Sequence, residues 1–477
     1  MNNIITYYCC QFLQTAPLRL SSGMNGTSDS DLMLDGRGLP MIPGTSIAGV
    51  MRSMLENNEL KRRLFGAAPK QRSSDLEEIE SRVIFSDALL PSDAEVHITT
   101  RYGVGIGENG TAQPTAKFDF MVAETSAPYT AVIELPHAED DDCESLLEAL
   151  LKDITSNGIS FGGRITRGYG RMNCTVLKRS FTMPADAQSW LAFDPFAPEA
   201  FSSAIKLENS ERERAGCVIR AKLDMKGSFI VRVYSTEVGD ADFAPLENSE
   251  HKPIIPGTSW SGSFRHHMIT LAKETGKPEL VHKIERLFGV PMSTIDRTKL
   301  LKYIEGKFDR ARANTLESLI GHQEDLVDLN KVIKRARDEG EKPLADSIEN
   351  EFGIIRSHIS FMETAVDGGS AVTNVRVALD RFTMAPKKSA LLTSTVWNGG
   401  SGDLEIRLDK PLECFEPEVI SLLYASLFDL HNGILTFGGS SSIGYGRAEI
   451  KMLEINGQEN NKLFGVELNE KEANGNE

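Results

Sequence analysis

Two motifs occur twice in the same order, and this duplication constrains the fold more than any other feature of the sequence. Residues 42–52 read Ile-Pro-Gly-Thr-Ser-Ile-Ala-Gly-Val-Met-Arg, and residues 255–265 repeat the Ile-Pro-Gly-Thr-Ser start with the later glycine and arginine. The glycine-rich residues 161–171 begin Phe-Gly-Gly and end Gly-Tyr-Gly-Arg, as do residues 437–447. One domain is therefore predicted to be present twice in this chain.

The length and composition fit two domains. The chain has 477 residues, of which 40% are hydrophobic, and this is enough for two separate cores. The first domain is predicted at 1–180 and the second at 216–456, joined by a proline-containing linker at 181–215. A flexible acidic tail is predicted at 457–477.

Each copy has strands and helices in an order typical of a split β-α-β unit. In the first copy a strand at 4–13 is followed by an amphipathic helix that starts near Thr45, by short strands, and by a second amphipathic helix at 143–154. A last strand at 172–177 closes the domain. The order predicts an α+β, ferredoxin-like or RRM-like fold for both copies. The second copy also contains extra charged residues at about 293–351, which predict a helical insertion.

The charge and the cysteines limit the possible functions only weakly. The net charge is −16, whereas nucleic-acid-binding proteins usually have a basic surface. The acidic residues are concentrated in 139–142, in the central helical region and in the tail, so a local basic patch remains possible. The six cysteines show no Cys-x-x-Cys spacing, which argues against a zinc site or a disulfide framework. No signal peptide or long apolar run is present, so we predict a cytoplasmic protein without a membrane partner.

The repeated Ile-Pro-Gly-Thr-Ser motif permits two interpretations. A helix start offers unpaired backbone N–H groups to a phosphate, and the following arginine would add charge. Alternatively, Thr45 or Ser46 simply caps the helix. The recurrence of the arginine in both copies favours phosphate binding. The predicted contact residues are Gly44, Thr45, Ser46, Arg52, Gly257, Thr258, Ser259 and Arg265.

The glycine-rich motif has a similar ambiguity. Its glycines would let the backbone approach a polyanion while Arg164, Arg167 and Arg171 supply positive charge. A tight hairpin that needs glycine for positive φ is the alternative. The second copy keeps its glycines and Arg447 but has Ser-Ser-Ser-Ile at 440–443. The glycines are therefore predicted to be structural in both copies, and the charge to matter more in the first.

Paired aspartates follow the first strand of each copy. Asp29 and Asp31 precede the first Ile-Pro-Gly, and Asp240 and Asp242 precede the second. Two carboxylates at i and i+2 in a loop can hold a hydrated Mg²⁺, so these four residues are the candidate metal ligands and catalytic residues. Solvated aspartates or Asx-turns are the alternative. Counted back from the Ile-Pro-Gly motif, Asp29 corresponds to Asp242. If the first residues of the two Asp-x-Asp pairs are aligned instead, Asp29 corresponds to Asp240. A fifth aspartate, at position 35, has no clear counterpart.

With both motifs present twice, the sequence resembles the RAMP superfamily of CRISPR–Cas proteins. It is most similar to the repeated backbone subunits of type III effector complexes, here with two such domains fused in one chain. The resemblance implies an RRM-like core that holds a CRISPR guide RNA, and partners that are other subunits of the complex. It further implies, as in many members, metal-dependent cleavage of the paired, complementary target RNA by an Asp in the loop after the first strand.

One further segment resembles a family feature. Residues 375–382 look like the strand that leads into a hairpin protruding between guide and target. Arg381, Lys387 and Lys388 are predicted backbone contacts, with a solvated basic turn as the alternative. The first copy has Gly-Glu at 107–108 where the second has Asp-Arg, so its hairpin chemistry differs.

Three functions remain compatible with the sequence. The leading hypothesis is a guide-RNA-binding subunit that cleaves target RNA with a divalent cation. The second is the same scaffold without cleavage. The third is a metal-independent, guide-processing endonuclease that uses His266 or His267. We reject the third because His267 falls on the apolar stripe of its helix and the first copy has Ser53 and Met54 there.

Overall fold

A computed structural model gives the fold of most of the chain. The residues that it describes are 3–23, 26, 28–55, 57–66, 79–106, 112–138, 142–201, 205–206, 216–234, 241–289, 294–308, 326–352, 356–460, 462–463 and 466–467. Residues 468–477 of the predicted acidic tail lie outside this set. None of the helices described is long and apolar enough to cross a membrane.

The first domain is a sheet with its first three helices packed on one face. Its elements are β1 (Asn3–Gln14), α1 (Gly44–Met54), α2 (Asn58–Phe65), β2 (Ile84–Phe85), β3 (Val96–Ile106), β4 (Ala112–Thr125), β5 (Tyr129–Ala138), α3 (Cys143–Asn157), β6 (Ile159–Ser160), β7 (Arg171–Met183), α4 (Ala187–Leu191) and β8 (Ile205–Lys206). The strand order is β2-β5-β1-β7-β6, with every pair antiparallel. The first strand therefore lies in the middle of the sheet, between the last two long strands, as expected for a ferredoxin-like fold.

The second domain repeats this arrangement. Its elements are β9 (Cys217–Lys226), β10 (Ser228–Phe229), β11 (Arg232–Tyr234), β12 (Phe243–Pro245), β13 (Ile254–Ile255), α5 (Gly257–Glu274), α6 (Leu280–Phe288), β14 (Thr294–Asp296), α7 (Arg297–Lys307), β15 (Leu326–Asp328), α8 (Leu329–Asp338), α9 (Lys342–Phe352), β16 (Ile359–Phe361), β17 (Thr364–Ala365), β18 (Ser370–Leu379), β19 (Pro386–Asn398), β20 (Ser401–Leu408), α10 (Pro417–His431), β21 (Arg447–Ile455), β22 (Gln458–Glu459), β23 (Lys462–Leu463) and β24 (Val466–Glu467). The order β16-β20-β9-β21 matches that of the first sheet. The predicted α+β fold with two ferredoxin-like domains is confirmed.

The core of each domain lies between the sheet and the repeated helix. In β1, Tyr8 and Phe12 point to the helices and are buried, because alternate residues of a strand face the same side. Ile47 and Met51 of α1 pack against them, as the apolar stripe predicts. The equivalent layer of the second domain includes Trp260, Phe264 and Met268 of α5.

The opposite face of the first sheet is also covered. Residues that follow β7, within the segment predicted as a linker, pack on this face. Trp190 donates a hydrogen bond from Nε1 to the hydroxyl of Tyr7 at 3.0 Å. Phe193 and Phe201 pack with Tyr7 in the same cluster. Both faces of β1 are thus buried, which explains why the consecutive residues Tyr7–Cys10 are all buried rather than alternating with exposed polar ones.

The predicted helical insertion of the second domain is confirmed for the residues described. It consists of α7, α8 and α9 with the short pair β14–β15. Leu300, Ile304, Val332, Leu344 and Ile348 form a core of its own. Residues 309–325, between α7 and β15, lie outside the described part.

Each domain carries a long two-stranded arm. The first arm is β3–β4, and the second arm is β18–β19. The buried guanidinium of Arg101, in the first arm, forms ion pairs with Glu124 at 2.9 Å and with Glu363 of the second domain. The two domains are therefore joined at a junction that includes this arm.

Candidate nucleic-acid interface

The repeated helix begins at least two residues earlier than the capping hypothesis requires. Gly44 is the first residue of α1, and Pro43 occupies the cap position with no side-chain hydrogen bond to the helix. Thr45 and Ser46 lie in the first turn, so the prediction that one of them caps the helix is wrong. Instead, the Gly44 N–H donates to Oδ1 of Asp87 at 2.8 Å. An acceptor from a distant loop therefore replaces the local cap.

Backbone packing explains the glycine at both helix starts. A Cβ on Gly44 would lie 2.7 Å from the carbonyl oxygen of Phe85. A Cβ on Gly257 would lie 2.1 Å from the carbonyl oxygen of Phe361 and 2.5 Å from that of Arg167. The second helix start is thus pressed against the glycine-rich segment of the first domain.

One face of each repeated helix stays open beyond its first turn. Thr45, Gly49 and Arg52 are spaced at i, i+4 and i+7 and so lie on one side of α1. Gly49 is exposed, and a Cβ there would meet nothing within 4 Å. In α5 the equivalent residues are Thr258, Gly262 and Arg265. Ser46 and Ser259 are half-buried.

We expect Gly49→Ala to raise the thermal unfolding midpoint of the RNA-free protein. Alanine is favoured over glycine in a helix interior by about 0.8–1 kcal/mol, and the open space imposes no steric cost. A glycine inside a helix is costly and recurs here in both copies, which points to close approach of another chain; the same change should therefore weaken RNA binding if the RNA backbone approaches α1 at this position. Differential scanning calorimetry and RNA titration measure the two effects. Gly262→Ala is the matched variant, and a lower midpoint for both would contradict the prediction.

The two glycine-rich segments have the same backbone conformation. Residues Ile165–Arg167 and Ser441–Ile443 form short 3-10 turns, each between residues with positive φ. A Cβ on Gly170 would lie 1.9 Å from the carbonyl oxygen of Phe161. In the second copy, a Cβ on Gly446 would lie at the same distance from the carbonyl oxygen of Phe437. The prediction that these glycines are structural in both copies is confirmed.

Arginine side chains of the first domain stack on aromatic rings at the base of the first arm. The guanidinium of Arg164 lies 4.3 Å from the ring centroid of Phe118 and 5.1 Å from that of Phe120. Arg19 lies 4.8 Å from the Phe120 centroid. Burial lowers the pKa of both arginines, and the positive charge of Arg19 lowers the pKa of Arg164 further. Two like charges are therefore held together in a partly desolvated place.

A second pair of arginines lies at the domain junction. Burial lowers the pKa of Arg167, and the nearby charge of Arg265 in α5 lowers it further. Arg265 makes an ion pair with Glu285 at 3.3 Å, but its Nε is buried without a hydrogen bond. Within the described part of the chain, Arg19, Arg164 and Arg167 form no ion pair. These three residues, Arg19, Arg164 and Arg167, are called the arginine cluster below. Because they are partly buried and have no carboxylate partner, they are suited to bind an anionic ligand.

The sequence analysis missed Arg19 and its counterpart, Arg232. Arg232 donates from Nη2 to Oγ of Ser440 at 2.6 Å and stacks on Phe243 at 5.2 Å. Both arginines lie beside the second glycine of the glycine-rich segment, at Gly163 and Gly439. They are separated by the same number of residues as the two Ile-Pro-Gly motifs, and this spacing could have revealed them.

Two predicted phosphate contacts lie elsewhere. Arg171 lies next to Gly158, the residue that ends α3, and Arg447 lies next to Gly433, just after α10. A cation at a helix C-terminus is favoured by the helix dipole. Arg171 and Arg447 are thus not brought together with the arginine cluster.

The loop aspartates contact the arms. Oδ2 of Asp29 accepts the Asp119 N–H at 3.0 Å, and Oδ1 of Asp119 accepts the Asp29 N–H at 2.8 Å. In the second domain, Oδ2 of Asp242 accepts the backbone N–H of Thr393 in β19 at 2.7 Å. Asp29 and Asp242 thus each accept a backbone N–H from the second strand of their arm, at positions two residues apart in the arm register. Asp119 is a second carboxylate at the first site that the sequence analysis did not identify.

Asp31 and Asp35 stabilise local loops. Asp31 accepts hydrogen bonds from the backbone N–H groups of Gly26 at 2.6 Å and Ser28 at 2.9 Å. Asp35 accepts two backbone N–H groups of its own turn, and Asn248 accepts the equivalent pair in the second copy. Asp240 lies outside the described residues. Throughout the part of the chain that is described, no three His, Cys, Asp or Glu side chains form a group able to hold a metal ion.

The second arm projects its tip into solvent. Arg381 and Lys387 are exposed, and the tip residue Phe382 is 93% exposed. Asp380 closes the tip by accepting the backbone N–H groups of Phe382 and Thr383, and these bonds lower its pKa. The side chain of Lys388 and residues 107–108 lie outside the described part of the chain.

The histidines of α5 do not form an acid–base pair. Nε2 of His267 contacts Oδ2 of Asp429 at 2.7 Å, and the histidine is half-buried between α5 and α10. His266 is exposed. This arrangement supports the structural interpretation of His267.

Comparison with known proteins matches one family to both halves of the chain. A model of the RAMP superfamily matches residues 15–173 and residues 238–449. Together the two regions make up more than half of the sequence, and each contains one glycine-rich segment. A search of curated proteins finds no match.

Proposed function

This chain belongs to the RAMP superfamily, and from that premise we propose that it is a guide-RNA-binding backbone subunit of a type III CRISPR–Cas complex that also cleaves complementary RNA. Membership of the superfamily supports an RNA-binding role associated with CRISPR systems. The finer assignment, to a backbone subunit with two RNA-binding domains, rests on the duplicated motifs.

The observation that supports RNA binding most strongly is the arginine cluster. Arg19, Arg164 and Arg167 are partly buried, and burial lowers the pKa of each because it disfavours the protonated form; neighbouring arginines lower the pKa of Arg164 and Arg167 further. A phosphate backbone would relieve both costs by supplying negative charge.

Cleavage is assigned to the loop–arm contact in each domain. Asp29 and Asp119 place two carboxylates together at the surface, a donor set that suits Mg²⁺, which typically binds one or two carboxylates and completes its shell with water and phosphate. Bound there, the ion would stabilise charge on the scissile phosphate. In the second domain, Asp242 is the loop carboxylate that contacts the arm, at Thr393.

We expect Asp29→Asn and Asp242→Asn each to reduce one cleavage product by at least about 100-fold, the scale of losing one charge-stabilising group. Asparagine can still accept the backbone N–H of the arm, so the loop should keep its position. The measurement is cleavage of guide-complementary RNA by the assembled complex in Mg²⁺, with guide affinity measured in parallel.

Asp35→Asn is the matched control, because Asp35 stabilises only its own turn and should leave both products unchanged. If Asp29→Asn and Asp242→Asn also leave the products unchanged while guide RNA still binds, the cleavage assignment fails. The alternative, a non-catalytic scaffold that binds guide RNA, would then hold.

A further inference from the structure

Asp29 is held in place through its two neighbours, Ser28 and Ser30. Asp29 itself lies at the surface, whereas Ser28 is buried. Oγ of Ser28 accepts the backbone N–H of Ser30 at 3.2 Å. The carbonyl oxygen of Ser30 in turn accepts the N–H of Met121 in β4 at 3.2 Å, which ties the loop to the first arm. The position of Asp29 opposite the arm therefore depends on the Ser28 side chain.

Asp31 fixes that side chain. Oδ1 of Asp31 accepts both the backbone N–H of Ser28 at 2.9 Å and the Ser28 hydroxyl at 3.0 Å. Oδ2 accepts the N–H of Gly26 at 2.6 Å. Because the Ser28 hydroxyl donates its only hydrogen to Asp31, its oxygen is left to accept the N–H of Ser30. One chain of hydrogen bonds thus runs from Asp31 through Ser28 to Ser30, and it encloses Asp29.

The hydrogen bonds of Asp31 separate its role from that of Asp29. Donors from its own loop point at the half-buried Asp31 carboxylate and fill most of its roughly four acceptor positions. Asp31 is thus committed to the loop and has little capacity left for a cation. Asp29, in contrast, meets a second carboxylate, that of Asp119.

We propose that Asp31 is a positioning residue for cleavage by the first domain: it holds Asp29 opposite Asp119 and contacts neither the metal ion nor the scissile phosphate. The inference rests on the proposed function, because it assigns a role within the same site. Such placement matters because a displacement of about 1 Å in a catalytic constellation can cost about 100-fold in rate. The Asp-x-Asp pattern, which suggested two ligands of one cation, is then one ligand and its support.

The experiment measures cleavage of guide-complementary RNA by the assembled complex in Mg²⁺. The product of the second domain is the internal standard, because it reports folding and RNA binding in the same reaction. We expect Asp31→Ala to lower the first-domain product by roughly 10- to 100-fold and to leave the other product unchanged. Asp31→Asn should stay within about five-fold of the wild type, the scale of one lost hydrogen bond, since its amide oxygen can still accept both Ser28 donors.

Two further measurements test how Asp31 acts. Ser28→Ala breaks the same chain of hydrogen bonds, so it should also lower the first-domain product, and adding it to Asp31→Ala should cause no further loss. Mn²⁺ binding, followed by electron paramagnetic resonance in an Asp242→Asn background, reports on the first site without any cleavage step. We expect Asp31→Ala to raise the half-saturating Mn²⁺ concentration, and Asp31→Asn to leave it close to the wild-type value.

Asp35→Ala is the matched control, because Asp35 also accepts two backbone N–H groups in this loop but does not hold a neighbour of Asp29. It should keep both products. Loss of the first product in Asp29→Asn but not in Asp31→Ala overturns the positioning role alone, whereas no loss in either variant overturns the cleavage assignment with it. An Asp31→Asn variant as inactive as Asp29→Asn also overturns the proposal, because Asp31 would then act as a ligand itself.

Discussion

Replacing Arg101 by alanine is expected to destabilise this protein by about 3–5 kcal/mol, the cost of breaking a buried ion pair on one side. The guanidinium contacts Glu124 of its own arm and Glu363 of the second domain, and it also stacks on Tyr169. Its removal leaves Glu363 buried without its partner. Thermal and denaturant unfolding measure the loss, and limited proteolysis should show faster cleavage near the junction.

Arg376→Ala is the matched control, since this residue has the equivalent position on an exposed surface. We expect it to change the free energy of unfolding by no more than about 0.5 kcal/mol. Replacing Arg101 and Glu363 together by methionine should cost less than Arg101→Ala, because only Glu124, rather than both carboxylates, then loses its partner. Equal stability of Arg101→Ala and the wild type would show that the ion pair does not hold the junction.

The second large effect concerns RNA. Replacing Arg19, Arg164 and Arg167 together by glutamine should weaken guide-RNA binding by roughly a thousand-fold, if each phosphate contact contributes about 1.4 kcal/mol. Each lost contact should also lower the slope of log K against log salt by about 0.7, so the slope should fall by about 2. Fluorescence titrations at several salt concentrations measure both quantities.

Arg171→Gln is the control for that experiment, because its side chain lies at the end of α3 rather than in the cluster. We expect a change of a few-fold at most and an unaltered salt slope. If the triple variant kept the wild-type slope while remaining folded, the cluster would not be a phosphate-binding site. The guide would then have to contact other cations, such as those of the second arm.

Local patterns in the sequence were enough to predict the domain architecture. The apolar stripe of residues such as Ile47 and Met51 marks a helix that must face a core, and both are buried in α1. The recurrence of the glycine-rich segment predicts the same turn twice, and the structure contains it twice with equal backbone geometry. Such features depend on neighbouring residues, so periodicity and motif spacing reveal them.

Local patterns failed where a partner comes from far along the chain. The rule that threonine or serine caps a helix predicted Thr45 or Ser46, but the acceptor for Gly44 is Asp87, which lies 43 residues away. Asp119 meets Asp29 across 90 residues. Neither contact leaves a periodic signal, because each depends on how a loop and an arm dock onto the finished sheet.

By itself, the sequence determined that the chain contains one fold twice, and which turns and helices each copy repeats. Only the tertiary structure decided which copies of those repeats are buried and which are open. Arg101 and Arg376 lie in equivalent arms, yet Arg101 is buried against Glu363 whereas Arg376 lies exposed on Tyr445, because the second domain packs against the first arm. The difference in burial, and hence in electrostatic energy, arises from the domain junction, which no local pattern encodes.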